Sequence, residues 1–126
     1  MPVKRSRKSA VRRKITPEKA VCRQIEDYLT AHRIRYFSSE VYDGPTPRAW
    51  LKVGEKGMAD YTAFIQHPSG PADAFLILHI ETKAAKGKQS FVQKMWQQTE
   101  EASNRYYIIA KDYTDVERWL REHVCL

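Results

Sequence analysis

Two charged residues stand two apart at the end of the sequence FLILHIETK, and this spacing suits metal-assisted chemistry. Glu81 and Lys83 follow the apolar run 75–80, which predicts a buried strand. Alternate side chains of a strand share a face, so the two charges would lie about 7 Å apart along it. A carboxylate can hold a divalent cation while an ammonium steers or activates a water. An ordinary exposed strand end with an ion pair would have the same spacing.

Charges at the last residues of an apolar strand predict that the strand leaves the core there, because isolated charges are costly to bury. Ligand crevices of open α/β sheets lie at such strand ends. Asp60 is the first residue of another predicted strand, residues 60–66, which should pair with the strand that ends in Glu81 and Lys83. Two carboxylates on neighbouring strands can bracket one Mg²⁺. The alternative for Asp60 is a turn acid without a ligand.

Two predicted helices carry polar side chains toward the same strand ends. On a helical wheel Glu18 falls between Val21 and Leu29, on the core-facing stripe of the first helix. The alternative is an acid that complements the helix dipole and bends out to solvent. Gln93 lies at the rim of the apolar face of the second helix, within reach of the strand end across the loop 84–88. A solvated polar position is the alternative for Gln93.

The rest of the chain predicts the elements that position these residues. Thr16 and Pro17 mark a helix start, and apolar spacing extends that helix to about residue 33. Further helices are predicted at 90–103, with Asn104 as a left-handed cap, and from a capping box that begins at Thr114. Strands are predicted at 36–42, 60–66, 74–83 and 106–110, with a short one inside the long loop 43–57.

This order, α-β-β-β-α-β-α, predicts an α/β fold with a mixed four-stranded sheet flanked by helices. The length of 126 residues suits one domain. We divide the chain into a basic flexible arm, residues 1–15, and a single domain, residues 16–126.

The net charge of +7 is confined to the start of the chain. Residues 15–126 hold 15 basic and 15 acidic side chains, whereas the first 14 residues hold seven basic side chains and no acid. Such a segment binds polyanions, because each neutralised phosphate releases counterions. A solubility tail is the alternative. The predicted DNA-contacting residues are those of the arm and two lysines of the loop before the second helix: Lys4, Arg5, Arg7, Lys8, Arg12, Arg13, Lys14, Lys86 and Lys88.

Other features of the sequence exclude several classes of protein. No apolar run approaches the roughly 20 residues of a membrane span, and the basic start lacks the apolar core of a secretory signal, so we expect a cytoplasmic protein. Cys22 and Cys125 suit a reducing compartment, and no zinc-ligand spacing occurs. His79 is expected to be a hydrogen-bonded, partly buried residue, and Trp96 a core residue.

Together these residues resemble the VRR-NUC domain of the PD-(D/E)xK nuclease superfamily. The matching pieces are Glu18 on the first helix, GMAD at 57–60, IETK at 80–83 and SFVQ at 90–93. The stretch 18–110 covers the whole core of that family, so the chain is similar to its stand-alone phage and bacterial members. A restriction-endonuclease-like core (α-β-β-β-α-β) plus a C-terminal helix is the implied fold. Tyr61 stands where an aliphatic residue is expected.

The resemblance also implies roles. Asp60, Glu81 and the backbone carbonyl of Thr82 would be metal ligands, completed by Glu18. Lys83 would activate the attacking water, and Gln93 would support the site. The implied activity is Mg²⁺- or Mn²⁺-dependent hydrolysis of DNA phosphodiesters, of the kind Holliday-junction resolvases perform as homodimers in a bacterial or phage-infected cell. No small-molecule cofactor is implied.

Two other functions stay open on the sequence alone. One is a nuclease with flap or single-strand preference. The other is a non-catalytic nucleic-acid-binding protein that uses the basic arm. The acidic residues distinguish a nuclease from a non-catalytic binding protein, because carboxylates without metal repel phosphate, whereas carboxylates with metal attract it.

Overall fold

The computed structural model describes residues 16–42, 50–52 and 56–124, and this part of the chain forms three helices and six strands. The predicted arm and most of the loop 43–57 lie outside the described residues, as does Cys125. No helix among the described residues has the length and apolar character needed to cross a membrane. In chain order the elements are α1 Pro17–Ala31, β1 Arg35–Ser38, β2 Glu40–Tyr42, β3 Trp50–Lys52, β4 Tyr61–Gln66, β5 Phe75–Thr82, α2 Phe91–Ala102, β6 Tyr106–Ala110 and α3 Tyr113–Val124.

Local capping sets the boundaries of the first two helices. At the start of α1, the Thr16 hydroxyl accepts a hydrogen bond from the amide of Lys19 at 3.2 Å. At the start of α2, Ser90 and Gln93 form a reciprocal capping box. Asn104 follows α2 with a φ of 66°, which confirms its predicted left-handed backbone. These signals act over a few residues, and a sequence pattern can therefore find them.

The start of α3 differs from the prediction. Asp112, rather than Thr114, takes the capping role, because its Oδ1 accepts a hydrogen bond from the Thr114 amide at 2.8 Å. Helix α3 therefore begins at Tyr113 and includes Thr114 in its first turn. Asp115 reaches back instead to the amide of Lys111 at 2.8 Å.

The predicted single strand over residues 36–42 is wrong, because the chain breaks into β1 and β2 at Ser39. The amide of Ser39 donates to the carbonyl of Asp60 at 2.8 Å, and the residue is buried. Beyond this point β2 leaves the main sheet and pairs with β3 in a separate two-stranded sheet. The break thus ties the end of β1 to the residue that precedes β4.

The main sheet has the strand order β1-β4-β5-β6. Strand β4 pairs antiparallel with both β1 and β5, whereas β5 and β6 are parallel and joined through α2. The sheet is therefore mixed and four-stranded, and with its flanking helices and C-terminal α3 it confirms the predicted α/β fold. Strand β5 lies between two neighbours, which places its polar end inside the structure.

Helices cover the two faces of the sheet unequally. On one face α1 and α3 pack over Leu78 and Ile80 of β5, and together they form the larger core. On the other face α2 places Trp96 against His79, with ring centroids 4.6 Å apart. Trp96 is buried, as predicted, and forms a smaller cluster with Ala59 and Tyr107. Tyr61 belongs to the larger core, and its hydroxyl donates to Glu26 of α1.

Candidate functional site

The polar end of β5 is buried, contrary to the expectation that the strand leaves the core there. Glu81 is 1% exposed and Thr82 is fully buried. Strand β5 has a neighbour on each side, α1 contacts it on one face, and Gln93 of α2 meets Glu81 on the other. A buried carboxylate requires hydrogen-bond donors or a cation. The surrounding residues supply both.

Two side chains meet the carboxylate of Glu81 from the α2 side. Gln93 donates a hydrogen bond from Nε2 to Oε2 at 2.8 Å, which confirms that it reaches the strand end. The ammonium of Lys83 lies 3.4 Å from the same oxygen, and its side chain is only 12% exposed. The ion pair offsets part of the cost of burying either charge. Lys83 is thus held beside the carboxylate instead of extending into solvent.

Thr82 fixes the carboxylate of Asp60. Its amide and its hydroxyl donate to Oδ2 of Asp60 at 2.9 and 2.8 Å. The Thr82 hydroxyl also lies 3.2 Å from the sulfur of Cys22 on α1. Since the single hydroxyl hydrogen goes to Asp60, the Cys22 thiol is the donor in that contact. Burial raises the pKa of Cys22, which favours the protonated thiol.

The contacts around Glu81 form one network and the contacts around Asp60 form another. The two networks lie on opposite sides of the sheet and meet at the end of β5. Thr82 faces α1 and Glu81 faces α2, because successive side chains of a strand alternate. The pairing of β4 with β5 ends at Tyr61 opposite Ile80, so Asp60, the residue before β4, lies beside the end of β5. Both carboxylates influence Tyr107 of β6: burial, with a contribution from their charges, raises the pKa of its hydroxyl.

Glu18 is exposed, so the expectation of a carboxylate aimed into the core is wrong, and the alternative of an acid that bends out to solvent matches the structure. Val21 is the first buried residue of α1, and the turn before it extends past the core. Glu18 nevertheless lines a pocket of about 380 Å³ with Cys22 and Asp60. It therefore neighbours the Asp60 network from the solvent side.

The two carboxylates at the strand ends are oxygen donors of the type that a small, hard cation takes. Mg²⁺ takes one or two carboxylates and fills its remaining positions with water or phosphate oxygens, and Asp60 and Glu81 match that requirement. Within the described ranges, no three His, Cys, Asp or Glu side chains come close enough to hold a metal. The structure thus does not bring Glu18 into one cluster with both of these carboxylates.

The predicted DNA-contacting residues divide into two groups. Lys86 and Lys88 are exposed in the loop between β5 and α2, a few residues beyond Lys83. The seven basic residues of the arm lie outside the described residues. His79, two residues before Glu81, is buried and bonded through both ring nitrogens, to the Thr62 hydroxyl and to a Glu100 carboxylate oxygen, each at 2.8 Å. Its surroundings match the predicted structural role.

Sequence reasoning missed two side-chain contacts at the site. For Thr82, the resemblance implies a role of the backbone carbonyl and none of the hydroxyl. The sequence analysis predicts no contact for Cys22, although it stands four residues after Glu18 and so shares its side of α1. That spacing was the signal available for Cys22. The contact of Thr82 with Asp60 depends on strand register, which leaves no local pattern.

Comparisons of the chain with protein-family models, with curated proteins and with solved structures find no match. The function must therefore be argued from the geometry of the site.

Proposed function

We propose that the protein is a metal-dependent nuclease that hydrolyses DNA phosphodiester bonds. One observation carries the proposal: a buried carboxylate, Glu81, holds the Lys83 ammonium at 3.4 Å, while the next residue, Thr82, binds a second carboxylate, Asp60, at 2.8 Å. Burying these charges is costly for the fold. A purely structural strand end gains nothing from them, whereas a hydrolytic site needs them.

Each residue of this group has a part in the proposed reaction. Asp60, Glu81 and the carbonyl of Thr82 would hold Mg²⁺ or Mn²⁺, with Glu18 at the solvent side. When bound, the cation supplies a Lewis acid that lowers the pKa of water and offsets charge on the phosphate. Lys83 orients the attacking water and donates hydrogen bonds to the phosphate oxygens. Gln93 and Thr82 hold the two carboxylates in place.

The substrate that we propose is branched DNA, cut in the manner of a Holliday-junction resolvase. This part rests on the resemblance to stand-alone VRR-NUC domains. A homodimer suits such a substrate, because a two-fold axis presents two sites to a four-way junction. A flap or single-strand nuclease uses the same site with another DNA geometry. A non-catalytic binding protein needs only the basic arm.

The test is cleavage of a labelled panel of DNA: four-way junction, flap, fork, duplex and single strand. Each substrate is incubated with Mg²⁺, with Mn²⁺ and with EDTA. The wild-type protein is compared with Asp60→Ala and Lys83→Ala, and with Asp73→Asn as the matched control. Asp73 is an exposed acid in the turn between β4 and β5, at the other end of the sheet.

We expect metal-dependent paired nicks in the junction, lost in Asp60→Ala and Lys83→Ala and kept in Asp73→Asn. Junction binding should persist in all variants. Cutting of flaps or single strands would support the nuclease proposal and contradict the resolvase proposal. Wild-type cutting rates in the Asp60 and Lys83 variants would show that the site is wrongly assigned. Tight binding without cutting in any condition would favour the binding protein.

A further inference from the structure

The first two turns of α2 expose three large apolar side chains beside the candidate site. Phe91 is 75% exposed, Met95 47% and Val92 39%. Phe91 is the most exposed large hydrophobic residue in the described part of the chain, and Phe75 follows at 51%. Trp96, one turn after Val92 on the same helix, is buried against the sheet. The apolar face of α2 is therefore wider than the part that the sheet covers, and its Phe91 side points away from the core.

The chain around this face is basic and contains no acid. Residues 83–99 include four lysines and neither Asp nor Glu. Lys86, Lys88 and Lys94 are exposed, and so is Lys56 from the preceding segment. An apolar face within a basic surrounding suits a ligand that has both flat apolar groups and negative charge. We call Phe91, Val92, Met95, Lys88 and Lys94 the Phe91 surface.

The Phe91 surface is directly linked to the candidate site. Phe91 stands between Ser90, the N-cap of α2, and Gln93, which bonds to Glu81 at 2.8 Å. The segment that leads to Asp60 also packs against this surface, at Val92. A Cβ added to Gly57 would lie 2.6 Å from both Cγ1 and the carbonyl oxygen of Val92. A ligand on this surface would therefore lie next to both carboxylate networks.

We propose that the Phe91 surface binds unpaired nucleotides, with the Phe91 ring stacked on a base and the lysines near the phosphates. The inference rests on the proposed nuclease function and narrows its substrate to DNA with unpaired bases at the site. Bases inside a duplex are stacked on both sides, so an exposed ring requires an unstacked base. Aromatic stacking with a basic groove is how single strands are bound without sequence preference.

A second copy of this chain is the other candidate partner for the surface. In a two-fold interface the same residues meet their own copies. Lys88 and Lys94 would then approach lysines of the partner, with no acid in residues 83–99 to compensate them. Such like-charge contacts disfavour association. The charge of the surface thus favours a polyanion.

The experiment measures binding of the full chain in EDTA, where no cleavage occurs. Fluorescence anisotropy gives Kd for a labelled oligothymidine and for a mixed-sequence duplex. The variants are Phe91→Ala, Phe91→Trp and, as the matched control, Phe75→Ala, an exposed phenylalanine at the far end of β5. We expect Phe91→Ala to weaken single-strand binding by about 5- to 150-fold, the range of one lost base stack. Duplex binding should change less than 2-fold.

Phe91→Trp should restore single-strand binding, and Phe75→Ala should leave both constants unchanged. Lys94→Gln should lower the salt dependence of single-strand binding by about 0.7 in log K against log salt. An unchanged single-strand Kd in Phe91→Ala, or an equal loss on duplex, overturns the proposal. So does a change from dimer to monomer in sedimentation of Phe91→Ala, because the surface is then an interface between copies.

The binding experiment distinguishes failure of the Phe91 surface from failure of the nuclease proposal. Selective loss of single-strand binding in Phe91→Ala, together with no cleavage by the wild type, would support the surface and reject the nuclease. Metal-dependent cleavage with unchanged binding by Phe91→Ala would reject the surface and support the nuclease.

Discussion

Gln93 joins the start of α2 to the buried carboxylate of Glu81. Its Nε2 donates to Oε2 of Glu81 at 2.8 Å, while its Oε1 accepts a hydrogen bond from the amide of Ser90, also at 2.8 Å. The second contact fixes which end of the side-chain amide faces the site. One residue thus has both a folding role and a site role, and the two can be separated by mutation.

Gln93→Ala should reduce both stability and cleavage. It removes a hydrogen bond to a buried charge, which costs about 1.5–3 kcal/mol, and leaves the ion pair between Glu81 and Lys83 in place. Loss of a residue that orients a metal-binding carboxylate lowers metal affinity or activity by about 10- to 100-fold. Urea unfolding and the Mg²⁺ dependence of cleavage measure the two effects.

Ser90→Ala is the matched control. It removes the N-cap hydroxyl, which accepts from the Gln93 amide at 3.1 Å, and keeps the bond between Gln93 and Glu81. It should cost about 1 kcal/mol of stability with cleavage unchanged. Equal loss of cleavage in both variants would mean that Gln93 acts only through the helix start.

Most local signals of the fold were predictable from the sequence, with the capping box at Thr114 as the exception, whereas contacts between distant residues were not. The caps at Thr16 and Asn104 each depend on a few neighbouring residues, and both were predicted. The break at Ser39 depends on its hydrogen bond to Asp60, which is 21 positions away and follows from strand pairing. A run of strand-forming residues cannot show such a break.

The candidate site shows the same limit. Element order correctly brought Gln93 to the end of β5, because a short loop and a crossover helix leave few alternatives. The periodicity of α1 predicts the direction in which Glu18 points around the helix axis. It does not predict how far the core extends along that axis. The burial of Glu81 depends on the strands and helices that cover β5, and no pattern within the strand sequence indicates it.

Gly57→Ala should destabilise the protein strongly. Gly57 has a φ of 82°, a backbone conformation that costs other residues about 1–2 kcal/mol. Its new Cβ would also meet Val92 at 2.6 Å, so we expect a loss of at least about 2 kcal/mol in urea unfolding. Gly87→Ala is the control, with its nearest contact at 3.2 Å, and should cost less than about 1 kcal/mol. Equal losses would contradict this account of Gly57.

Stability should fall on acidification through His79. Burial lowers the pKa of His79, against the raising effect of its bond to Glu100. Below the ordinary histidine pKa of about 6.5 the unfolded chain therefore binds a proton more readily than the folded protein does. This contribution to stability is present above about pH 6.5 and is lost as the pH falls toward the lower, folded-state pKa.

His79→Gln removes this titrating group and keeps a hydrogen-bonding side chain. The free energy of unfolding, measured in urea at several pH values, should fall less steeply below about pH 6.5 in the variant than in the wild type. The carboxylates are common to both proteins, so the difference between the two curves isolates His79. Identical slopes would show that His79 does not contribute to the pH dependence.

Deletion of residues 1–14 should weaken DNA binding and reduce its dependence on salt. The segment carries seven positive charges, and residues 15–126 sum to zero. If all seven contact phosphates of a duplex, log K against log salt should become shallower by up to about 6. Replacement of the seven basic residues by glutamine in the full chain is the control for length and should give the same change. An unchanged slope in both proteins would place the arm outside the interface, and the lysines at 83–94 would then have to supply the phosphate contacts.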